Sequence, residues 1–260
     1  KNMYKYIDNE KQKHRHEIDG KPLIGTSKVG DVIAKNLTWW AAETSAVECL
    51  ESGEKIPTIR EEYLLACKSP DKKSAIDALQ KKYPIFRKAR FAHFADKNKK
   101  ADKGTDLHAL LEDYVNFKMG RIGDAFDTSE IQEFALWADK NVKRFLWSEI
   151  HCYSEANWIG GISDAGFEDN DGKVGIIDFK SSKEAFISHF IQIAGYDIEL
   201  SENGGFTAEG ENVLPPQKID YYLVWAFGAE KQEPAINYDT ESLKKGFQSA
   251  LVLYRLIENK

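Results

Sequence analysis

The sequence predicts a mixed α/β protein of the α+β kind, with a central mixed sheet flanked by helices and an N-terminal helical lobe. Three observations carry this. Helical periodicity runs from about Gly30 to Trp147, and at Ser148 the pattern changes to three short strand-like runs. The last two of these runs are separated by Asp169-Asn170-Asp171-Gly172, a turn sequence that suits a hairpin. A helix, a strand and a closing helix then follow.

Each element has its own local reason. The stretch "HRHEIDGKPLIGTSKV" reads as two short strands around Asp19-Gly20, with Thr26 or Ser27 able to cap the helix that follows. The helical lobe has breaks at Gly53 to Pro57, Ser69-Pro70, Pro84 and Lys97 to Lys103. The strand-like runs are Ser148 to Ala156, Trp158 to Glu168 and Lys173 to Ser181. An apolar-periodic helix spans about Glu184 to Leu200, and a Gly-rich loop runs from Ser201 to Gln217. The run "IDYYLVWAFG" is a strand, and Asp239 to Ile257 a helix. Residues 1–103 are expected to form the hairpin and helical lobe, and residues 104–260 the core, all within one compact unit.

Composition limits the function. A chain of 260 residues, 42% hydrophobic and 30% charged, is of ordinary globular composition, and its three cysteines have no CxxC spacing. A structural zinc, an iron–sulfur cluster and a disulfide framework are therefore not expected. The polar start of the sequence and the lack of a long apolar run predict no membrane segment and a cytoplasmic location. A net charge of −6 does not by itself suggest a nucleic-acid partner, and its distribution matters more than the sum. Lys81, Lys82, Arg87, Lys88 and Arg90, interleaved with Tyr83, Phe86, Phe91 and Phe94, form a local basic patch that could face nucleic acid. The same pattern also suits a solvated amphipathic helix whose aromatics face the core.

The charged residues within apolar runs are the sharper signal. Asp178 lies in "VGIIDFK", whose Ile176, Ile177 and Phe179 demand burial, and a charge there is costly unless paired or metal-bound. One reading is a structural Asp178–Lys180 pair. The other starts from Asp164, which a hairpin would bring beside Asp178 as a hard-oxygen site for Mg²⁺ or Mn²⁺. Lys180 shares strand parity with Asp178, so both point to one face. His108 and Glu112, and likewise Gln192 and Tyr196, are spaced i, i+4 on helices.

The ordered set "GTDLHALLE" (Gly104, His108, Glu112), Glu149, "GGISD" (Asp164), "IIDFKSSK" (Asp178, Lys180, Ser181) and "QIAGY" (Gln192, Tyr196) resembles the PD-(D/E)XK nuclease superfamily, in its RecB-like exonuclease branch. The resemblance covers about Gly104 to Phe227, and "HEIDGKPLIGTSKVGDVI" is more loosely similar to the start of phage members. It implies a restriction-endonuclease-like core and a Mg²⁺- or Mn²⁺-dependent DNA exonuclease of a bacterium or phage-infected cell, acting in recombination, repair or replication. It further implies metal ligation by His108, Asp164, Asp178 and the Phe179 carbonyl. Lys180, Gln192 and Tyr196 would orient water or backbone, with Glu112 and Glu149 in the catalytic set and Ser181 and Ser182 on the DNA side. The four-cysteine iron–sulfur staple of several relatives is absent. A catalytically silent nucleic-acid-binding module of the same fold is the alternative.

Overall fold

A computed structural model describes residues 3–8, 15–33, 56–83, 107–123 and 125–258. The chain divides into two compact units: Lys1–Ala34 with Gly104–Lys260, and Lys35–Lys103.

The first unit is built on a mixed sheet with helices on both faces. Its strands are β4 (Ile24–Gly25), β5 (Val142–Ser154), β6 (Ile159–Asp169), β7 (Val174–Lys180), β8 (Gly205–Phe206), β9 (Asn212–Leu214), β10 (Tyr221–Ala226) and β11 (Pro234–Asn237), in the order β11-β10-β7-β6-β5-β8-β9 with β4 beside β6. β6 and β7 pair antiparallel through the expected turn, where Gly172 takes φ +80°, and β7 pairs parallel with β10. Alternation along β7 sends Ile176 to one core and Ile177 and Phe179 to the other, which is why the run is apolar on both faces. On the first face pack α1 (Thr26–Asp31), α6 (Ile187–Asn203) and α7 (Thr240–Glu258), with Val29, Ile193, Leu200 and Phe247 in the core. On the second pack α4, described over residues 107–118, and α5 (Gln132–Asn141), through Leu111, Val115, Phe134 and Ala138. Each of the valine, leucine, isoleucine and phenylalanine side chains among these, once buried, contributes on the order of 1.5–3 kcal/mol.

A three-stranded sheet of β1 (Tyr4–Ile7), β2 (Arg15–Ile18) and β3 (Lys21–Pro22) belongs to the same unit. The expected turn is present, with Asp19 at φ +50° and Gly20 at φ +76°. The grouping differs from the sequence expectation, which put this hairpin with the lobe up to residue 103. The reason is long-range pairing: Ile24 and Gly25 align with Ile159 and Gly160 of β6.

Four further differences have physical causes. β5 starts at Val142, not Ser148, because register shifts at Val142/Arg144 and Phe145/Trp147 break the two-residue alternation that would have marked a strand. Neither Thr26 nor Ser27 caps α1: Gly25 is the N-cap without a side-chain bond, and the buried Thr26 hydroxyl donates to Glu199 instead. The Gly-rich loop carries β8 and β9, and the edge strand β11 follows β10, too short and broken for a periodic signal.

The second unit contains α2 (Ile56–Cys67) and α3 (Lys72–Lys82). The break at Ser69-Pro70 is present, and Asp71 caps α3 by accepting from Ser74 N–H at 3.1 Å. The breaks at Pro84 and residues 97–103 lie outside the described residues. Among the described residues, no helix is long and apolar enough to cross a membrane.

Candidate metal centre

The site forms where β6 and β7 part. Their register runs as far as Ala165↔Ile177, and one step beyond it the Phe179 N–H donates to Asp164 Oδ2 at 2.8 Å. A backbone donor thus fixes one oxygen of the Asp164 carboxylate. On the other side of β6, Ser148 aligns with Ala165 and Ile150 with Ser163, which places Glu149 opposite Asp164.

Glu149 has φ +47°, a left-handed conformation that costs a non-glycine residue about 1 kcal/mol or more. Its effect is visible in the core. Trp147 and Ile150 are three apart, so a regular strand would send them to opposite faces, yet both enter the core shared with α6. The strand turns over at Glu149. From the first described turn of α4, His108 completes the group, its ring centroid 5.8 Å from that of Phe179 in an edge-to-face arrangement and its helix anchored by Leu111, Tyr114 and Val115.

His108 Nε2 lies 3.3 Å from Asp164 Oδ2 and 3.8 Å from Glu149 Oε1. One ligand atom from each of the three residues falls within 4.8 Å of the others. Asp178 is 1% exposed, with Lys180 Nζ 2.8 Å from each carboxylate oxygen and hydrogen-bonded to Oδ1. The cluster therefore brings Glu149 into ligand distance with His108 and Asp164, whereas the sequence reading had put Asp178 and the Phe179 carbonyl there. Asp178 is paired with Lys180 on the β7 face that the two share by parity, and the Phe179 backbone meets the cluster through the bond from its N–H to Asp164.

On that face Gln192 Nε2 donates to the Tyr196 hydroxyl at 2.7 Å. Burial raises the Tyr196 hydroxyl, and the charges of Asp178 and Asp164 raise it further. Glu112, a turn beyond His108, is half-buried and its carboxyl is raised by that burial.

The electrostatics of the group favour a cation. Burial, with Asp164 beside it, pushes Glu149 up to about 8. Burial pushes Asp178 up to about 7 against the pull of Lys180, and Asp164 adds to the rise. The Asp164 carboxylate raises His108. Lys180 is opposed by burial, yet Asp178 and Asp164 hold it above its ordinary value. His108 Nε2, Glu149 Oε1 and Asp178 Oδ2 are all buried without a hydrogen bond. Lys180 Nζ, 2.8 Å from Asp178 Oδ2, offsets that charge, whereas His108 Nε2 and Glu149 Oε1, 3.8 Å apart, each go without a hydrogen bond at a cost of about 1–3 kcal/mol, a lack that a cation held between them would make good. An imidazole with carboxylates suits Mg²⁺ and, through the nitrogen, Mn²⁺.

The expected DNA contacts are placed less fully. Ser181 is exposed and Ser182 Oγ donates to the Glu184 carbonyl at 2.7 Å. In the second unit Lys81 is exposed, while Lys82 and the Tyr83 hydroxyl both bind Glu62, at 2.7 and 2.8 Å. Glu62 thus offsets part of the basic patch. Arg87, Lys88, Arg90, Phe86, Phe91 and Phe94 lie outside the described residues. The sequence reading passed over two groups. His189 precedes Gln192 and Tyr196 by three and seven residues, so the three share one face of α6, a spacing that would have revealed it. The buried Glu199, bonded to Thr26 and 2.9 Å from Cys152 Sγ, had no local signal.

No protein-family model and no curated protein matches this chain. Among solved structures, one titled "Crystal structure of SSO0001" is similar at 13% identity over 60% of this chain and 70% of that one, with a TM-score of 0.28. A likeness that slight carries no argument about the site.

Proposed function

We propose that this protein is a divalent-metal-dependent deoxyribonuclease that hydrolyses phosphodiester bonds at DNA ends, in the manner of the RecB-like PD-(D/E)XK exonucleases its motifs resemble. The observation that supports it best is the convergence of His108, Glu149 and Asp164 beside a buried Asp178–Lys180 pair, with His108 Nε2 and Glu149 Oε1 buried 3.8 Å apart and without hydrogen bonds. When bound, Mg²⁺ or Mn²⁺ would polarise the scissile phosphate and acidify a water.

The chain's own residues supply the remainder. His108, Glu149 and Asp164 would hold the ion. Asp178 keeps Lys180 charged and fixed in direction, and Lys180 Nζ is the donor placed to meet charge developing on phosphate oxygen. Tyr196, whose hydroxyl accepts from Gln192, would position water or phosphate. DNA with a free or single-stranded end is the substrate this reading favours.

The test is a labelled oligonucleotide, single- and double-stranded, linear and circular, incubated with Mg²⁺, Mn²⁺ or EDTA. Stepwise loss of nucleotides from linear DNA, dependent on metal and absent in Asp178→Asn, is the expected result. Oligonucleotide binding without cleavage under every metal would favour the silent binding module.

A further inference from the structure

The first turn of α6 holds a histidine whose proton is fixed by its neighbours. Phe186, the N-cap of α6, has no side-chain cap, and its backbone N–H donates to His189 Nδ1 at 3.2 Å. An Nδ1 that accepts a hydrogen bond carries no proton, so in the neutral ring the proton sits on Nε2. Burial first, and the Lys180 ammonium second, press His189 down to about 4, so the ring stays neutral and the tautomer stays fixed at physiological pH. No partner for Nε2 occurs among the described residues, and it is not among the buried unpaired atoms. His189 therefore presents one N–H, in the field of Lys180, on the face of α6 that also carries Gln192 and Tyr196.

A neutral donor beside a fixed cation selects a ligand that accepts hydrogen bonds and carries negative charge. A carboxylate ligand would meet Asp178 and Asp164 at the same place, whereas a phosphodiester can span the acids through a bound cation and offer its free oxygen to α6. We propose that His189 Nε2–H donates to a non-bridging phosphate oxygen of the bound strand, next to the phosphate that Lys180 faces, and so sets the register of the strand at the site. This rests on the nuclease reading above for its choice of ligand. It assigns His189 to substrate binding and leaves the chemical step to Lys180 and the ion.

Two substitutions separate this role from helix capping. In His189→Asn the side-chain oxygen reaches the place of Nδ1 and can still accept from Phe186, but no donor reaches the place of Nε2. In His189→Gln the amide nitrogen reaches the place of Nε2, and the cap is lost. Binding of a fluorescein-labelled single-stranded oligonucleotide is followed by anisotropy in Ca²⁺, together with melting temperatures and, in Mn²⁺, KM and kcat.

For His189→Asn, affinity should fall and KM rise by about tenfold, the size expected for one hydrogen bond to a charged oxygen, with kcat and melting temperature nearly unchanged. The salt dependence of binding should also keep its slope, since the donor is neutral. For His189→Gln, affinity should stay near that of the unaltered protein while the melting temperature drops by a few degrees. An Asn variant that binds like the unaltered protein, or losses in both variants that simply follow their melting temperatures, would overturn the proposal. Should the unaltered protein bind but cleave nothing, with this same variant pattern, the nuclease reading fails and the phosphate contact stands. No binding of the oligonucleotide at all sinks the contact itself.

Discussion

The Phe179 N–H donates to Asp164 Oδ2 at 2.8 Å, across the gap where β6 and β7 cease to pair. A strand amide that would otherwise lack a partner instead orients an acid, and the other Asp164 oxygen is left for a ligand. Asp164→Asn keeps an oxygen to accept this bond and removes the charge. The melting temperature should change by no more than a few degrees, while calorimetric Mn²⁺ affinity drops at least tenfold. Undiminished affinity would remove Asp164 from the candidate metal centre.

Glu149 combines a left-handed backbone with a buried carboxyl. Glu149→Gly relieves both, since glycine adopts φ > 0 at no steric cost. The metal-free variant should be more stable by about 1 kcal/mol, with nuclease activity and Mn²⁺ affinity lost. Urea unfolding in EDTA measures the first and titration calorimetry the second. A less stable variant would mean the strained turn is retained for packing alone.

Asp178 and Lys180 are unequal partners, because Asp178 is almost wholly buried and Lys180 is 23% exposed at its side chain. Lys180→Ala leaves a buried carboxylate without its cation, which should destabilise the protein by about 3 kcal/mol at neutral pH. Asp178→Asn removes the buried charge and lets Lys180 extend towards solvent, so its folding should be retained and its metal-free melting temperature equal or higher. Both should lose cleavage. Equal destabilisation of the two variants would show that the pair acts as a symmetric structural bridge.

Glu199 reports on pH. Burial raises its carboxyl to about 8, with Cys152 and Thr26 pulling the other way. The unfolded carboxyl titrates near 4.3, so between that value and about 8 the folded chain holds a proton that the unfolded chain has released. The stability this group contributes is whole below the unfolded value and is lost as pH rises towards the folded one. Glu199→Gln keeps an acceptor for Thr26 and cannot ionise. Its melting temperature, relative to the unaltered protein, should climb by several degrees from pH 5 to pH 8.5, and melting curves that stay parallel across that range would refute the account.

Sequence alone determined the features that rest on local pattern. The turn at Gly172, the parity that sends Asp178 and Lys180 to one face, and the i, i+4 pairing of Gln192 with Tyr196 all follow from periods of two and 3.6, and each is present in the structure. Tertiary structure alone decided what rests on long-range register. The bulges of β5 hid its first residues, and the left-handed turn at Glu149, which puts that carboxylate beside His108 and Asp164, has no sequence signature because a glutamate there gives no hint of φ > 0. Thr26 looked like a helix cap and proved to be the partner of Glu199, 173 residues away. Local preference is written in neighbours along the chain, whereas the partner that finally satisfies a buried polar group is chosen by the packing of elements that the sequence keeps far apart.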